Sequence, residues 1–182
     1  MSVSVIMPYY KKKEFVGIAI DSILSQTYQD FEIIIVYDDE NLDDFNYIKN
    51  FENNDIRIRV IKNKSKIGAG LSRNIGIKNS SKKFIAFLDC DDIWEKNKLQ
   101  EQIKFMSENK IDFSFTAYDI IDYSNKKIGA RKAKKVLTFS DLIKSCDIGL
   151  STVVLNRELI NDHCKFASLA TKEDYVLWLN IT

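Results

Sequence analysis

The sequence predicts an α/β fold with a mostly parallel central sheet and helices on both faces. Three observations carry that expectation. Short apolar runs of strand length alternate with stretches of helical spacing, in the order β-α-β-α-β-α-β that implies parallel crossovers. Two of the runs, Phe31–Tyr37 and Phe84–Leu88, are almost wholly apolar, as strands buried on both faces are. Both end in acids, Asp38-Asp39 in one case and Asp89, Asp91 and Asp92 in the other. Parallel strands deliver such carboxylates to one edge, where open α/β sheets bind ligands.

Composition sets the outer bounds. A chain of 182 residues suits one domain with a substantial core. Hydrophobic residues at 45% and charged residues at 29% describe an ordinary soluble globular chain. Lys+Arg 27 against Asp+Glu 26 leaves a net charge of +1, so no global field points to nucleic acid or an acidic membrane. No apolar run approaches a membrane span, and no signal-peptide pattern opens the chain. The three cysteines, Cys90, Cys146 and Cys164, show no metal spacing. The expected location is a reducing cytoplasm, with at most peripheral contact at the inner face of the membrane. His163 stands apart from any cysteine or second histidine, which argues against zinc.

The elements follow in order. Ser2–Met7 is a β-branched first strand ended by Pro8, and Glu14–Tyr28 has Phe15, Ile18, Ala19 and Ile23 at helical spacing. Phe31–Tyr37 is the second strand, Asp43–Phe51 a short helix, and Ile56–Ile61 an alternating, edge-like strand. After a polar loop, Ala69–Lys78 reads as a helix, and Phe84–Leu88 as the fourth strand, followed by a helix within Trp94–Asn109. Beyond it Asp112–Tyr118 alternates, as does the region of Ile120 and Ile121. The basic run from Lys126 to Lys135 reads as a solvated hairpin, with contact to anionic headgroups as the alternative. Thr138–Asp141 forms a capping box for a helix through Cys146. Ser151–Leu155 is a strand, Glu158–Asp162 a weak helix, and Thr171 to the end a helix with Tyr175, Trp178 and Leu179 on its apolar side. Thr182 falls in mid-helix, so a truncated end is expected there.

The stretch Asp89-Cys90-Asp91-Asp92 organises the functional reading. Asp89 and Asp91 are two apart and point the same way if the chain stays extended. Carboxylates this dense repel one another unless something positive sits among them. Two carboxylates plus substrate phosphates is how proteins usually hold Mg²⁺. Alone, the motif more often makes only a turn that caps the next helix.

The full set of segments resembles an inverting family 2 glycosyltransferase of the GT-A fold. The resemblance rests on S-V-I-M-P-Y-Y at Ser4–Tyr10, D-S-I-L-S-Q-T-Y-Q-D-F-E-I-I-I-V at Asp21–Val36 and I-G-A-G-L-S-R-N-I-G-I at Ile67–Ile77. F-I-A-F-L-D-C-D-D-I-W at Phe84–Trp94 and E-D-Y-V-L-W-L at Glu173–Leu179 complete it. It implies a nucleotide-diphospho-sugar donor, with UDP as the base by analogy, and a glycan or lipid-linked saccharide acceptor in bacterial polysaccharide or lipopolysaccharide assembly. It implies Mn²⁺ or Mg²⁺ at Asp89 and Asp91, and a nucleotide pocket at Pro8, Tyr9 and Tyr10. Asp38 or Asp39 is expected to contact the base, the usual D-D-G-S being Y-D-D-E-N here. Arg73 is expected near the diphosphate, Asp174 as the general base and Glu173 beside it. On this reading 1–182 is one transferase domain, 1–118 the donor half and 119–182 the acceptor half.

Three other readings compete. A sugar nucleotidyltransferase wants a Gly-rich phosphate loop after the first strand, and Pro8-Tyr9-Tyr10-Lys11 has no glycine. A NAD-binding module lacks its G-x-G-x-x-G at the same place. A non-catalytic binding fragment would not need acids at both the metal and the helix positions.

Overall fold

A computed structural model describes residues 1–182. Strands β1 (Val3–Tyr9), β2 (Phe31–Tyr37), β3 (Ile58–Lys62) and β4 (Phe84–Phe87) lie parallel, in the spatial order β3-β2-β1-β4. The later β8 (Val154–Asn156) joins β4 antiparallel, and the two-residue β5 (Phe113–Ser114) closes that edge. This is the α/β class and mostly parallel sheet that the sequence predicts. β3 is indeed an edge strand.

Side chains of period two sort onto the two faces. Val3, Val5, Met7, Ile33 and Ile35 pack beneath α1 (Lys13–Leu24), α2 (Leu42–Asn54) and α4 (Lys98–Asn109). Ile6, Ile34, Val36 and Phe87 pack against α3 (Ala69–Asn79) and α6 (Glu173–Ile181). Each such side chain contributes about 1.5–3 kcal/mol of burial, most of it offset by lost chain entropy. At Gly76 a Cβ would meet Ile6 Cγ2 at 2.5 Å, so α3 lies closer to β1 than any larger residue permits. That approach seats Arg73, one turn earlier on α3, under the sheet's carboxyl edge.

Several boundaries differ from the sequence reading. β1 continues through Pro8 instead of ending there. Leu88 N–H donates to Ile6 O, and Asp38 N–H donates to Tyr9 O, so alternate residues of β1 address opposite neighbours. Pro8 faces the side where β4 has already ended, and its missing N–H costs no ladder bond. α1 stops at Leu24, and its Ile18 is exposed rather than core-facing; Ile56 lies fully exposed before β3 begins. α4 begins at Lys98, not Trp94, because Gln26 occupies the junction. Its amide donates to Glu95 O at 2.8 Å and accepts from Leu99 N–H at 3.0 Å.

The region after α4 departs most. The strand expected over Asp112–Tyr118 shrinks to Phe113–Ser114, and an exposed hairpin of β6 (Tyr118–Ile121) and β7 (Lys127–Arg131) follows. The capping box at Thr138 and Asp141 forms, but its helix, α5, covers only Phe139–Leu142. A 3-10 turn at Leu150–Thr152 replaces the start of the expected strand, and another at Arg157–Leu159 replaces the expected short helix. Trp178 is buried in α6 as expected, with Leu177 beside it.

Candidate active site

The sheet's carboxyl edge gathers the acids in the way parallel strands require. Asp38, at the end of β2, is buried and saturated. Its carboxylate accepts from Gly68 N–H at 2.7 Å, Ile67 N–H at 2.9 Å and Asn63 Nδ2 at 2.8 Å. Gly68 takes φ +90°, a conformation that turns its N–H onto Asp38 at little cost only for glycine. Asp39 accepts from Glu40 N–H with one oxygen, while Oδ2 is buried without a partner.

Arg73 ties the end of β4 to the start of α6. Its guanidinium donates to Asp89 Oδ1 at 2.7 Å and to Glu173 Oε1 at 2.6 Å, with the arginine side chain 4% exposed. Burial alone would lower its pKa, but the two carboxylates raise it. At Gly70, one turn before, a Cβ would meet Glu173 Cγ at 2.8 Å, so α3 and α6 are in close contact. Asp91 pairs with Lys12 at 2.9 Å. Between the acids, burial pushes the Cys90 thiol up to about 12, which makes it an inert spacer. Asp92 accepts from Ser151 Oγ at 2.5 Å, and burial raises its pKa.

Two cavities meet at Asp89 and Asp91. The first, about 300 Å³, is lined by Pro8, Tyr9, Tyr10 and Asp38 and by the cations Lys12, Lys66 and Arg73. Tyr9's ring is fully buried, stacked on Tyr37 with centroids 5.1 Å apart, and its hydroxyl donates to Asp44. Tyr10 is the open ring, with Lys66 Nζ 3.9 Å from its centroid. The second cavity, about 670 Å³, lies between Trp94, Lys98, the β6–β7 hairpin and Ser151.

Residues 4–164 match the family model described as Glycosyl transferase family 2. The chain belongs to glycosyl transferase family 2. WfgD of Escherichia coli, named UDP-Glc:alpha-D-GlcNAc-diphosphoundecaprenol beta-1,3-glucosyltransferase, is 41% identical to this family 2 chain over 179 residues. The match covers 98% of this chain and 69% of WfgD. The crystal structure of S. aureus TarS 1-349 in complex with UDP-GlcNAc superposes with a TM-score of 0.82 at 20% identity, over 100% of this chain and 53% of that one. The mannosyltransferase PcManGT from Pyrobaculum calidifontis, in complex with GDP-Man and Mn²⁺, gives a TM-score of 0.74 at 13% identity, over 98% and 51%. The chain thus spans about half the length of these solved chains. The fold is the GT-A fold of TarS, and the enzyme class is the glycosyltransferase that the sequence predicts.

Of the residues singled out from the family 2 resemblance, Pro8, Tyr9, Tyr10, Asp38, Arg73, Asp89 and Asp91 line the first cavity. Asp39 does not line it. Glu173 and Asp174, in the first turn of α6, line neither cavity. Glu173 is held by Arg73, whereas Asp174 meets no cation and accepts from the Tyr175 N–H. Burial raises the Asp174 pKa, with the charge of Glu173 adding to it. Lys12, Lys66, Lys98 and Ser151 were not singled out for the site; Lys12 at least lies two residues after the Pro8–Tyr10 motif. Ser151 had no local signal, because its role comes from an antiparallel strand that returns to β4 late in the chain.

No three His, Cys, Asp or Glu side chains converge so as to hold a metal ion by themselves. The residues nevertheless fit a divalent cation shared with a diphosphate. Asp89 Oδ2 and Asp91 Oδ1 carry no protein hydrogen bond, and both side chains border the same cavity. Two carboxylates with the remaining positions left to phosphate and water is the usual arrangement for Mg²⁺.

Proposed function

We propose that the chain carries the centre of a metal-dependent, inverting transferase. It moves a sugar from a nucleoside diphosphate, UDP in the first instance, to a hydroxyl of a glycan or lipid-linked saccharide. The observation that carries this reading is the position of Asp89 and Asp91 on the wall common to a cation-lined cavity and a larger one. The names of WfgD and of the TarS complex support the UDP-sugar donor, and WfgD's name supports a diphospholipid-linked acceptor. No helix is long and apolar enough to cross a membrane, so such an acceptor would be met by peripheral contact at the cytoplasmic face. Residues 1–118 line the donor cavity and much of the larger one, and 119–152 complete the larger cavity as the acceptor side.

Asp91 and Asp89 would hold Mn²⁺ or Mg²⁺, which supplies Lewis-acid stabilisation of the leaving diphosphate. Arg73 holds Asp89 on the cavity wall through Oδ1, leaving Oδ2 free. Lys12, released from Asp91, and Lys66 face the diphosphate as further cations. Asp38 borders the donor cavity but is saturated, whereas Asp39 has the unpartnered Oδ2 and reaches a base N–H only if its loop turns that oxygen toward the cavity. Tyr10 offers the ring face for stacking. Inversion is a direct displacement, so the acceptor hydroxyl loses its proton on the face opposite the diphosphate. The family's E-D motif assigns that proton to Asp174 as general base, which requires the acceptor to bring its hydroxyl to the start of α6, beyond either cavity as it stands. Burial raises the Asp174 pKa and so its strength as an acceptor.

A thermal-shift screen of nucleoside diphosphates and sugar nucleotides, with and without Mn²⁺, tests the reading. Binding stabilises by mass action, about 2.7 kcal/mol at a hundred times Kd. UDP and UDP-sugars should give the largest shifts, and only with the metal. Equal shifts from all bases, or none from any, would overturn the proposal.

A further inference from the structure

The larger cavity has a charge asymmetry that the donor chemistry does not use. Asp89, Asp91, Asp92, Glu95 and Asp119 border it, and Lys98 is the one cation on its wall. Lys98 opens α4 with Nζ 4.2 Å from the centroid of the Trp94 ring, and donates to Gln102 Oε1 at 2.8 Å. Both supports are rigid. The Trp94 indole N–H donates to Ser151 O at 2.7 Å, and Gln102 Nε2 donates to Ser114 Oγ at 2.9 Å and Thr152 O at 3.0 Å. A ring face and an amide hold an ammonium in place, yet neither carries a compensating charge. No carboxylate forms an ion pair with Lys98, and burial alone pushes its pKa down to about 7. Gln102 takes one of three N–H donors, so two are left for a ligand.

We infer that Lys98 is an anion subsite for a phosphoryl group of the acceptor, so that this cavity selects a sugar phosphate over a neutral saccharide. The inference rests on the proposed function and names the substrate class at its acceptor side. With its pKa at about 7, Lys98 is only about half protonated at neutral pH, and an anion brought to its unpaired N–H donors out of water favours the ammonium form. The surrounding acids repel an anion everywhere else on the wall, so the phosphoryl group is admitted at one place only. That fixes the polarity of the bound acceptor, with phosphate at the start of α4 and sugar toward Asp91. The donor's diphosphate is not the ligand meant, because Lys98 does not border the donor cavity, which has Lys12, Lys66 and Arg73 of its own.

Titration calorimetry on the full chain, first with UDP and Mn²⁺ and then with acceptor probes, tests the subsite. The probes are N-acetylglucosamine 1-phosphate, its neutral methyl glycoside and glucuronic acid. The wild type should bind the sugar phosphate at least about tenfold tighter than the methyl glycoside, as expected for a charge-assisted hydrogen bond. Lys98→Gln and Lys98→Met should lose that factor while keeping the parent's affinity for UDP, and Lys98→Arg should keep most of it. Equal binding of phosphate and glycoside by the wild type, or discrimination surviving in Lys98→Gln, overturns the inference. Tighter binding of glucuronic acid than of the sugar phosphate overturns the phosphoryl assignment. Failure of UDP to bind the wild type would instead strike the proposed donor chemistry, and is read in the first titration.

Discussion

The two cavities share Asp89 and Asp91 but surround them differently. On the donor side two of the three cations are paired with carboxylates, Lys12 with Asp91 and Arg73 with Asp89 and Glu173, while Lys66 has only the Tyr10 ring. On the far side five acids face one lysine that no acid neutralises. The donor cavity is built mainly from strand ends and the start of α3, elements close together in the parallel sheet. The far cavity's lining, from Asp89 to Thr152, comes instead from loops, the start of α4, the β6–β7 hairpin and the 3-10 turn before β8. Internal pairing makes the donor side stable without ligand, whereas the far side holds an uncompensated charge ready for one.

The comparison breaks most severely if Arg73 is removed. Arg73→Met leaves Asp89 and Glu173 facing each other without their cation, and losing one partner of a buried pair costs about 3–5 kcal/mol. Denaturant unfolding should show a loss of that size. A loss under about 1 kcal/mol would mean the triad is solvated and does not brace the donor side.

Asp174→Asn should reduce transfer at least about a hundredfold in the full chain, the low end for losing general-base help, while UDP affinity stays near the parent's. Loss of transfer in Glu173→Gln with Asp174→Asn active would move the base by one residue.

How much of this was legible in the sequence follows the same division. Parallel strands with continuous apolar runs write their burial into adjacent residues, so β2 and β4 could be placed to within a residue and their acids assigned to one edge. Pro8 misled because the sequence shows a missing N–H but not whether a neighbour needs it. Trp94 misled because a helix boundary was set by Gln26, almost 70 residues earlier, through its amide at Leu99 N–H. The far cavity was illegible for a stronger reason. Lys98 and Gln102 are one turn apart on α4, but Ser151 and Thr152 reach Trp94 and Gln102 only after the chain returns antiparallel to β4, and no local pattern encodes that return. The family resemblance supplied the Glu173-Asp174 motif but not the finding that Arg73 claims only the first of the two.

Asp38 and Asp39 sharpen the comparison within the donor side. Asp38→Ala should lower stability by about 1–3 kcal/mol, since it strips the acceptor from buried loop N–H groups. Asp39→Ala should leave stability near the parent's and weaken UDP binding. The reverse pattern would exchange their roles.

The smallest effect is expected at the hairpin side. Lys132, Lys134 and Lys135 are exposed and border neither cavity, so replacing all three with Gln should leave UDP affinity unchanged. A marked drop would place this segment over the donor.

The central claim is that Asp91 and Asp89 bind the donor through a divalent cation. Calorimetric titration of UDP into the wild type and into Asp91→Asn, each with Mn²⁺ and with chelator, addresses it directly. The account predicts tight binding only for the wild type with Mn²⁺, and weak, metal-independent binding in the other three cases. Manganese-dependent binding of equal strength in Asp91→Asn would contradict it.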